Sequence, residues 1–201
     1  MGPQGSGKGT QAKLLSRFLK IPHIDVGELF RTEAQKGTEL GLKAKAYWDK
    51  GKLVPDETTI AMVNNRLAQK DCEKGFIIDG YPRTLEQAKA LDKVAKPDFV
   101  IELKIPDQIS IKRLSARRYC PKCGKIYSLL ERRIKYCANC KLKLIRRADD
   151  RPKIIKTRLK FYHDQTEPIL DYYKPRGIVY EVDGTKKIEE VFNAVVSVLK
   201  L

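Results

Sequence analysis

Apolar positions along the chain fall into two alternating patterns. Four short runs rich in Ile, Val and Phe, at Pro22–Val26, Phe76–Asp79, Phe99–Leu103 and Ile178–Val182, predict buried parallel strands. Between them lie stretches with helical spacing. One runs from Gln11 to Lys20, and Thr84 followed by Gln87 forms a capping box that opens a helix through Leu91. Pro106-Asp107 opens another through Arg118, and Ile155, Leu159 and Tyr162 mark one face of a long helix reaching about Tyr172. Ile188, Val191, Phe192, Val195 and Leu199 mark the last. The alternation predicts an α/β fold, a parallel sheet with helices on both faces. Two stretches interrupt it: a mainly helical one from Val26 to Val54, and one from Ala116 to Asp150 that carries cysteines. Both read as insertions at the strand-end face, where ligands bind in such folds.

The first ten residues bring in chemistry. Gly2, Gly7 and Lys8 have the spacing G-x-x-x-x-G-K, with Gly9-Thr10 where a bare Ser or Thr usually follows. Glycines let backbone N–H groups turn around a polyphosphate, and the following helix points its positive end at the same anion. Lys8 adds a mobile charge, and the Thr10 hydroxyl can reach a phosphate-bound Mg²⁺. Such loops normally follow a buried strand. No strand precedes Met1 in this sequence: either the sequence is truncated, a neighbouring strand or a partner segment takes its place, or the structure tolerates the loss, and only a true absence would bring lower stability or a compensating oligomer.

Composition narrows the classes. A chain of 201 residues suits one α/β domain with insertions, and no apolar run approaches membrane-spanning length. Without a signal-peptide pattern, the expectation is a cytoplasmic protein. The formal charge of +16 is concentrated between Lys104 and Lys160, in residues that include Arg132 and Arg133. It suits polyanionic substrates, with nucleic acid as a second possibility. Cys120, Cys123, Cys137 and Cys140 form C-x₂-C-x₁₃-C-x₂-C, a spacing typical of four thiolates closing around structural zinc. Two disulfides and an iron–sulfur cluster are the competing readings. Cys72 stands apart, and His23 and His163 have no partner suggesting catalysis or metal binding.

Phosphoryl transfer needs positioning and charge neutralisation more than acid–base chemistry. Arg31, Arg83, Arg113, Arg117, Arg147 and Arg158 are candidate phosphate contacts, and Phe76-Ile-Ile-Asp79 reads as a strand ending in a magnesium-linked carboxylate.

These motifs together resemble the adenylate kinase family, of the type with a long zinc-bearing lid. The matching segments are Gly2–Gln11, Gly27–Arg31, Gly51-Lys-Leu-Val54, Asp79-Gly-Tyr-Pro-Arg-Thr84 with Gln87, Arg113–Arg118 with the four cysteines, Arg147-Ala-Asp-Asp150, Arg158 and Asp183-Gly-Thr-Lys186. They run in the family's order over nearly the whole chain. The resemblance implies a P-loop core of residues 1–24, 55–115 and 151–201, a monophosphate-binding insertion of 25–54 and a zinc-binding lid of 116–150. It implies reversible transfer between Mg·ATP and AMP, giving two ADP. It places Gly5, Ser6, Gly7, Lys8, Gly9, Thr10, Arg113, Arg117, Tyr127 and Lys186 at ATP, and Val26, Arg31, Val54, Gly80, Arg83, Gln87, Arg147 and Arg158 at AMP. Lys8, Arg83, Arg117, Arg147 and Arg158 would act on the transferring phosphate, and Thr10 and Asp79 would hold Mg²⁺ through its waters. Gln87 would read the acceptor's adenine.

The sequence departs from the family at Asp25-Val26-Gly27-Glu28, where Ser-Thr-Gly-Asp is usual; Val26 removes a hydroxyl, which predicts broader acceptor tolerance. Arg151-Pro-Lys153 replaces an acidic stretch. The alternatives are a kinase for GMP, UMP or CMP or with GTP as donor, and an ATP-regulated zinc-ribbon protein that binds nucleic acid. The second has weak support, since only Tyr119, Tyr127 and Tyr136 lie in the basic cysteine region. Oligomeric state is not legible in the sequence.

Overall fold

The computed structural model describes residues 1–48, 53–130 and 134–200. Gly51, Lys52, Arg132 and Arg133 lie outside the described residues. In chain order the principal elements begin with helix α1 (Lys8–Leu19), strand β1 (His23–Asp25), helices α2 (Val26–Lys36), α3 (Glu39–Trp48) and α4 (Asp56–Leu67), and strand β2 (Ile77–Asp79). Helix α5 (Leu85–Val94), strand β3 (Val100–Lys104), helix α6 (Asp107–Ala116) and strands β4 (Arg117–Tyr119) and β5 (Ile126–Ser128) follow. Helices α7 (Pro152–Phe161) and α8 (Ile169–Tyr173), strand β6 (Val179–Asp183) and helix α9 (Ile188–Val198) complete the order.

All four expected core strands form, and they pair in parallel as two separate couples, β1 with β2 and β3 with β6. The main chain of Met1 lies along β3: its nitrogen donates to the Ile101 carbonyl, and its carbonyl accepts from Leu103 N at 3.0 Å. The glycine loop therefore starts from the strand ends.

Side chains three apart on a strand face opposite ways, and this splits the core into two layers. Leu103 and Val182 pack with Leu15 of α1 and Val191, Val195 and Leu199 at α9. Val100 packs on the other face with Ala88 of α5 and Ile169, Leu170 and Tyr173 of α8. A third cluster joins β1 to α2, α3 and α4 through Ile24, Val26, Phe30, Ala44, Met62 and Val63.

Three expectations are corrected. Arg117 and Arg118 belong to β4 rather than to the preceding helix, because the chain turns extended at Arg117 (φ −68°, ψ 137°). The long helix toward Tyr172 is interrupted: residues 162–166 form a π turn in which Glu167 N reaches the Tyr162 carbonyl at 2.8 Å. Pro168, without an N–H, follows it, and α8 begins one residue later. The capping box is only half reciprocal. Thr84 Oγ1 accepts from Gln87 N at 3.2 Å, but the Gln87 carboxamide bonds Arg83 N instead of Thr84 N.

Helices α2 and α3 approach closely at Gly41. A β-carbon there would lie 2.2 Å from the Glu33 carbonyl carbon and 2.4 Å from Ala34 N. Gly41→Ala is expected to lower stability by about 1–3 kcal/mol in urea unfolding.

Candidate active site

The loop of residues 2–9 is shaped by positive φ at Gly2, Gly5 and Gly7 (127°, 86° and 99°), a region open to glycine and strained for other residues. Gly2 also sits against the Leu103 carbonyl, where a β-carbon would be 2.4 Å from the oxygen. Gly7 caps α1, and Thr10 N and Gln11 N both donate to its carbonyl. Ser110 Oγ of α6 donates to the Gln4 carbonyl and anchors the loop from behind. Inside the loop, Lys8 Nζ donates to the carbonyls of Gly2 (2.7 Å) and Pro3 (2.8 Å) and to Ser6 Oγ (3.4 Å).

The parallel register places Asp25 beside Asp79 at the strand ends. Asp79 lies against the first turn of α1, within 3.2 Å of where a Gly9 β-carbon would be. Asp25 caps α2 by accepting from Glu28 N at 2.9 Å. Arg83 is fixed by its Nε bond to the Gly80 carbonyl (2.7 Å), and its own carbonyl accepts from Thr166 Oγ1 (3.0 Å). Arg117 forks onto the buried Asp150 with contacts of 2.8 and 2.5 Å. Arg158 pairs with Asp149 at 2.8 Å, and Arg147 lies over the Tyr119 ring at 5.6 Å.

These cations share one electrostatic neighbourhood. Burial pushes Lys8 down to about 8; Asp79 opposes the shift, and Arg83, Arg158 and Arg117 reinforce it. Burial is the main cause that holds Arg83, Arg147 and Arg158 below the usual arginine value; neighbouring arginines add to it and Asp149 opposes it. Arg31 contributes to the fields at Arg83 and Arg147. Sequence reasoning therefore selected residues that the fold does bring together.

Other expected residues sit differently. Arg113 donates to the carbonyls of Gly184 (2.8 Å), Thr185 (3.3 Å) and Gly5 (3.4 Å), tying the loop after β6 to the glycine loop. Lys186 is largely exposed, 4.0 Å from Asp183. Val26 does not present its side chain as an open pocket wall: it is 2% exposed within the α2–α4 cluster, and Val54 packs against the same cluster. Tyr127 belongs to the cysteine cluster, its hydroxyl donating to Cys137 Sγ at 3.3 Å and accepting from Ala138 N at 3.0 Å. His163 bridges Asp107 and Glu167 at 3.0 and 2.7 Å, away from the glycine loop.

The four cysteine sulfurs lie within 4.8 Å of one another. Each pair sits in the same kind of turn: Gly124 N donates to the Cys120 carbonyl, Lys141 N to that of Cys137, and both donors have positive φ (67° and 57°). Cys140 N also points at Cys137 Sγ, 3.4 Å away. Such a donor set suits one tetrahedral metal ion. The sequence missed Asp56 and the Arg117 partner Asp150. Asp56 was not singled out, Asp150 appeared only within Arg147-Ala-Asp-Asp150, and the choice of a partner across 33 residues leaves no local signal.

A glycine loop on parallel strand ends, ringed by arginines and two acidic strand termini, defines a nucleotide-dependent phosphotransferase of the nucleoside monophosphate kinase class. The chain matches the family model for adenylate kinase over residues 1–178. It is 47% identical to an adenylate kinase of Archaeoglobus fulgidus, over all of this chain and 96% of that one. It is 48% identical to one from Methanosarcina barkeri (99% and 96%) and 44% to one from Agathobacter rectalis (99% and 97%). The chain belongs to the adenylate kinase family, which transfers phosphate reversibly between ATP and AMP to give two ADP. These relatives do not favour a zinc-ribbon nucleic-acid binder or a kinase with a different acceptor. No helix among the described residues is long and apolar enough to cross a membrane.

The depressed Lys8 pKa gives a testable pH dependence. In the free enzyme kcat/KM for ATP should fall as pH rises through about 8, while kcat holds to higher pH because bound phosphates favour the charged amine. The folded pKa lies below the unfolded value of 10.5. Charged Lys8 thus opposes folding below about pH 8, and this opposition is relieved as pH rises toward 10.5.

Proposed function

We propose that the transfer runs between an ATP seated on residues 5–10 and an AMP seated beneath α2 and α5. The observation that supports this most is the shared field of Lys8, Arg83, Arg117, Arg147 and Arg158; burial shifts Lys8, Arg83, Arg147 and Arg158 against their charge. A polyphosphate supplies the negative charge that this cluster lacks.

In this reading Gly5, Ser6, Gly7, Gly9 and Thr10 cradle the ATP phosphates with main-chain N–H groups, and the α1 N-terminus favours the anion. Lys8 exchanges its loop carbonyls for phosphate oxygens of the transferring group. Arg113 spends its guanidinium edge on loop carbonyls, which leaves its plane for the ATP base, beside the main chain near Lys186. Arg31 and Arg83 clamp the AMP phosphate. Arg117, Arg147 and Arg158 neutralise charge that spreads over the moving phosphoryl group, and no strong base is required because the acceptor is already an anion. Asp79 and Thr10 offer the hard oxygens Mg²⁺ takes, with waters between, and the ion screens the phosphates when bound. Residues 116–150 close over the site and exclude water, protecting ATP from hydrolysis.

Val26 brings no polar group to the acceptor base, so discrimination falls to Gln87, with Gly80 and Val54 nearby. AMP is the best acceptor and other monophosphates are tolerated more than the family norm. The setting is a cytoplasmic enzyme of nucleotide balance. The test is a phosphoryl-transfer assay with Mg·ATP and AMP, GMP, UMP or CMP. AMP-dependent ADP formation with weaker turnover of the others supports the reading; no transfer from folded protein overturns it.

Zinc fits the four thiolates as a structural ion, since four protein sulfurs fill the tetrahedron and leave no catalytic position. Chelation is expected to release one zinc per chain and lower Tm while transfer at moderate temperature persists. Metal analysis before and after chelation, with calorimetry, checks both.

A further inference from the structure

The acceptor side contains a closed hydrogen-bond ring that the transfer mechanism does not use. Gln87, 4% exposed, donates from Nε2 to Asp56 Oδ1 at 2.6 Å. The other Asp56 oxygen accepts from Thr84 Oγ1, also at 2.6 Å, and Thr84 Oγ1 accepts from Gln87 N at 3.2 Å. On its far side Gln87 Oε1 accepts from Arg83 N at 2.8 Å. Asp56 opens α4 and Gln87 lies on α5, so the ring joins two helices distant in sequence. Tyr81 holds the Gln87 main chain by donating to its carbonyl at 3.0 Å. Burial, with the Asp56 charge second, pushes the Tyr81 hydroxyl up to about 12, which keeps it a donor.

The orientation of a carboxamide is settled by its neighbours. A carboxylate can only accept, and a main-chain N–H can only donate. Turning the Gln87 amide over would set its oxygen against Asp56 and its NH₂ against Arg83 N. Two hydrogen bonds would become two repulsions. The ring spends one N–H and one lone pair, leaving one of each for a ligand. A 6-aminopurine presents the matching pair, an acceptor at N1 and a donor at N6. A 6-oxopurine presents the reverse, a donor at N1 and an acceptor at O6, and would need the amide turned over.

We propose that Asp56 is a positioning residue for acceptor recognition: its carboxylate locks the Gln87 amide in the orientation that accepts 6-aminopurine and rejects 6-oxopurine monophosphates. This rests on the reading that Gln87 contacts the acceptor base. Asp56→Asn keeps size and helix-opening character but supplies a donor as well as an acceptor, so the lock is lost.

The experiment compares kcat/KM for AMP and inosine monophosphate with Mg·ATP in the wild type, Asp56→Asn and Gln87→Leu, with Tm recorded for each. The expected result is a fall of about tenfold or more in the AMP preference of Asp56→Asn, on the scale of one bidentate base contact. The loss should lie in the KM for AMP, with the KM for ATP unchanged. An equal loss for both acceptors, leaving the ratio at its wild-type value, overturns the role of Asp56 and marks it as structural. If Gln87→Leu also keeps the wild-type ratio, the underlying reading of Gln87 fails instead. Should Asp56→Asn not fold, Asp56→Ser, which likewise removes the carboxylate, is read by the same ratio.

Discussion

Crowding like charges around one loop is the constraint on which the rest of this structure depends. Lys8 and three arginines are held below their ordinary pKa values chiefly by burial, with neighbouring cations adding to the shift and carboxylates opposing it. Such a cluster opposes folding unless carboxylates are spaced through it. Asp79 at the end of β2, and Asp149 and Asp150 in one short turn before α7, fill that role. The carboxylates temper the positive field without cancelling it, and the remaining charge favours a polyphosphate. Stability and affinity are thus set against each other at the same atoms, as expected where a site is prepared for charge it does not itself contain.

The supports around that cluster are neutral and local. The glycine loop is held by main-chain carbonyls, by Ser110 from α6 and by the approach of Gly2 to β3. Arg113 extends the same device, donating to three carbonyls that belong to two loops. None of these contacts involves a phosphate ligand. Arg117 and Arg158 are anchored instead to carboxylates, Asp150 and Asp149, in the turn just before α7.

What was legible in the sequence follows from how far each signal reaches. The glycine loop, the cysteine pairs and the four strands are written in consecutive residues, and all appear where expected. The helix after Asp107 was read too long because Arg117 and Arg118 are good helix formers, and only pairing with residues 127 and 128 draws them into a strand. Val26, placed at AMP by the resemblance, has its apolar side chain in the cluster with Ile24, Phe30 and Met62. The partners of Gln87 and Arg117 lie 31 and 33 residues away, and no local pattern announces them. Their selection depends on which helix ends the fold sets side by side.

The pairing of Arg117 with Asp150 has a consequence for how the chain tolerates change. Arg117 opens β4 and Asp150 lies just before α7, so their contact fastens together the two ends of the cysteine-bearing segment. The bridge between Tyr119 and Ile145 fastens them a second time, slightly farther out. The core therefore sees this segment as a loop whose ends are already joined. Its closure entropy depends only weakly on what lies between. The segment is in effect a cassette: its length and its metal ligands can drift or be exchanged while the core keeps its stability, as long as the two roots stay pinned.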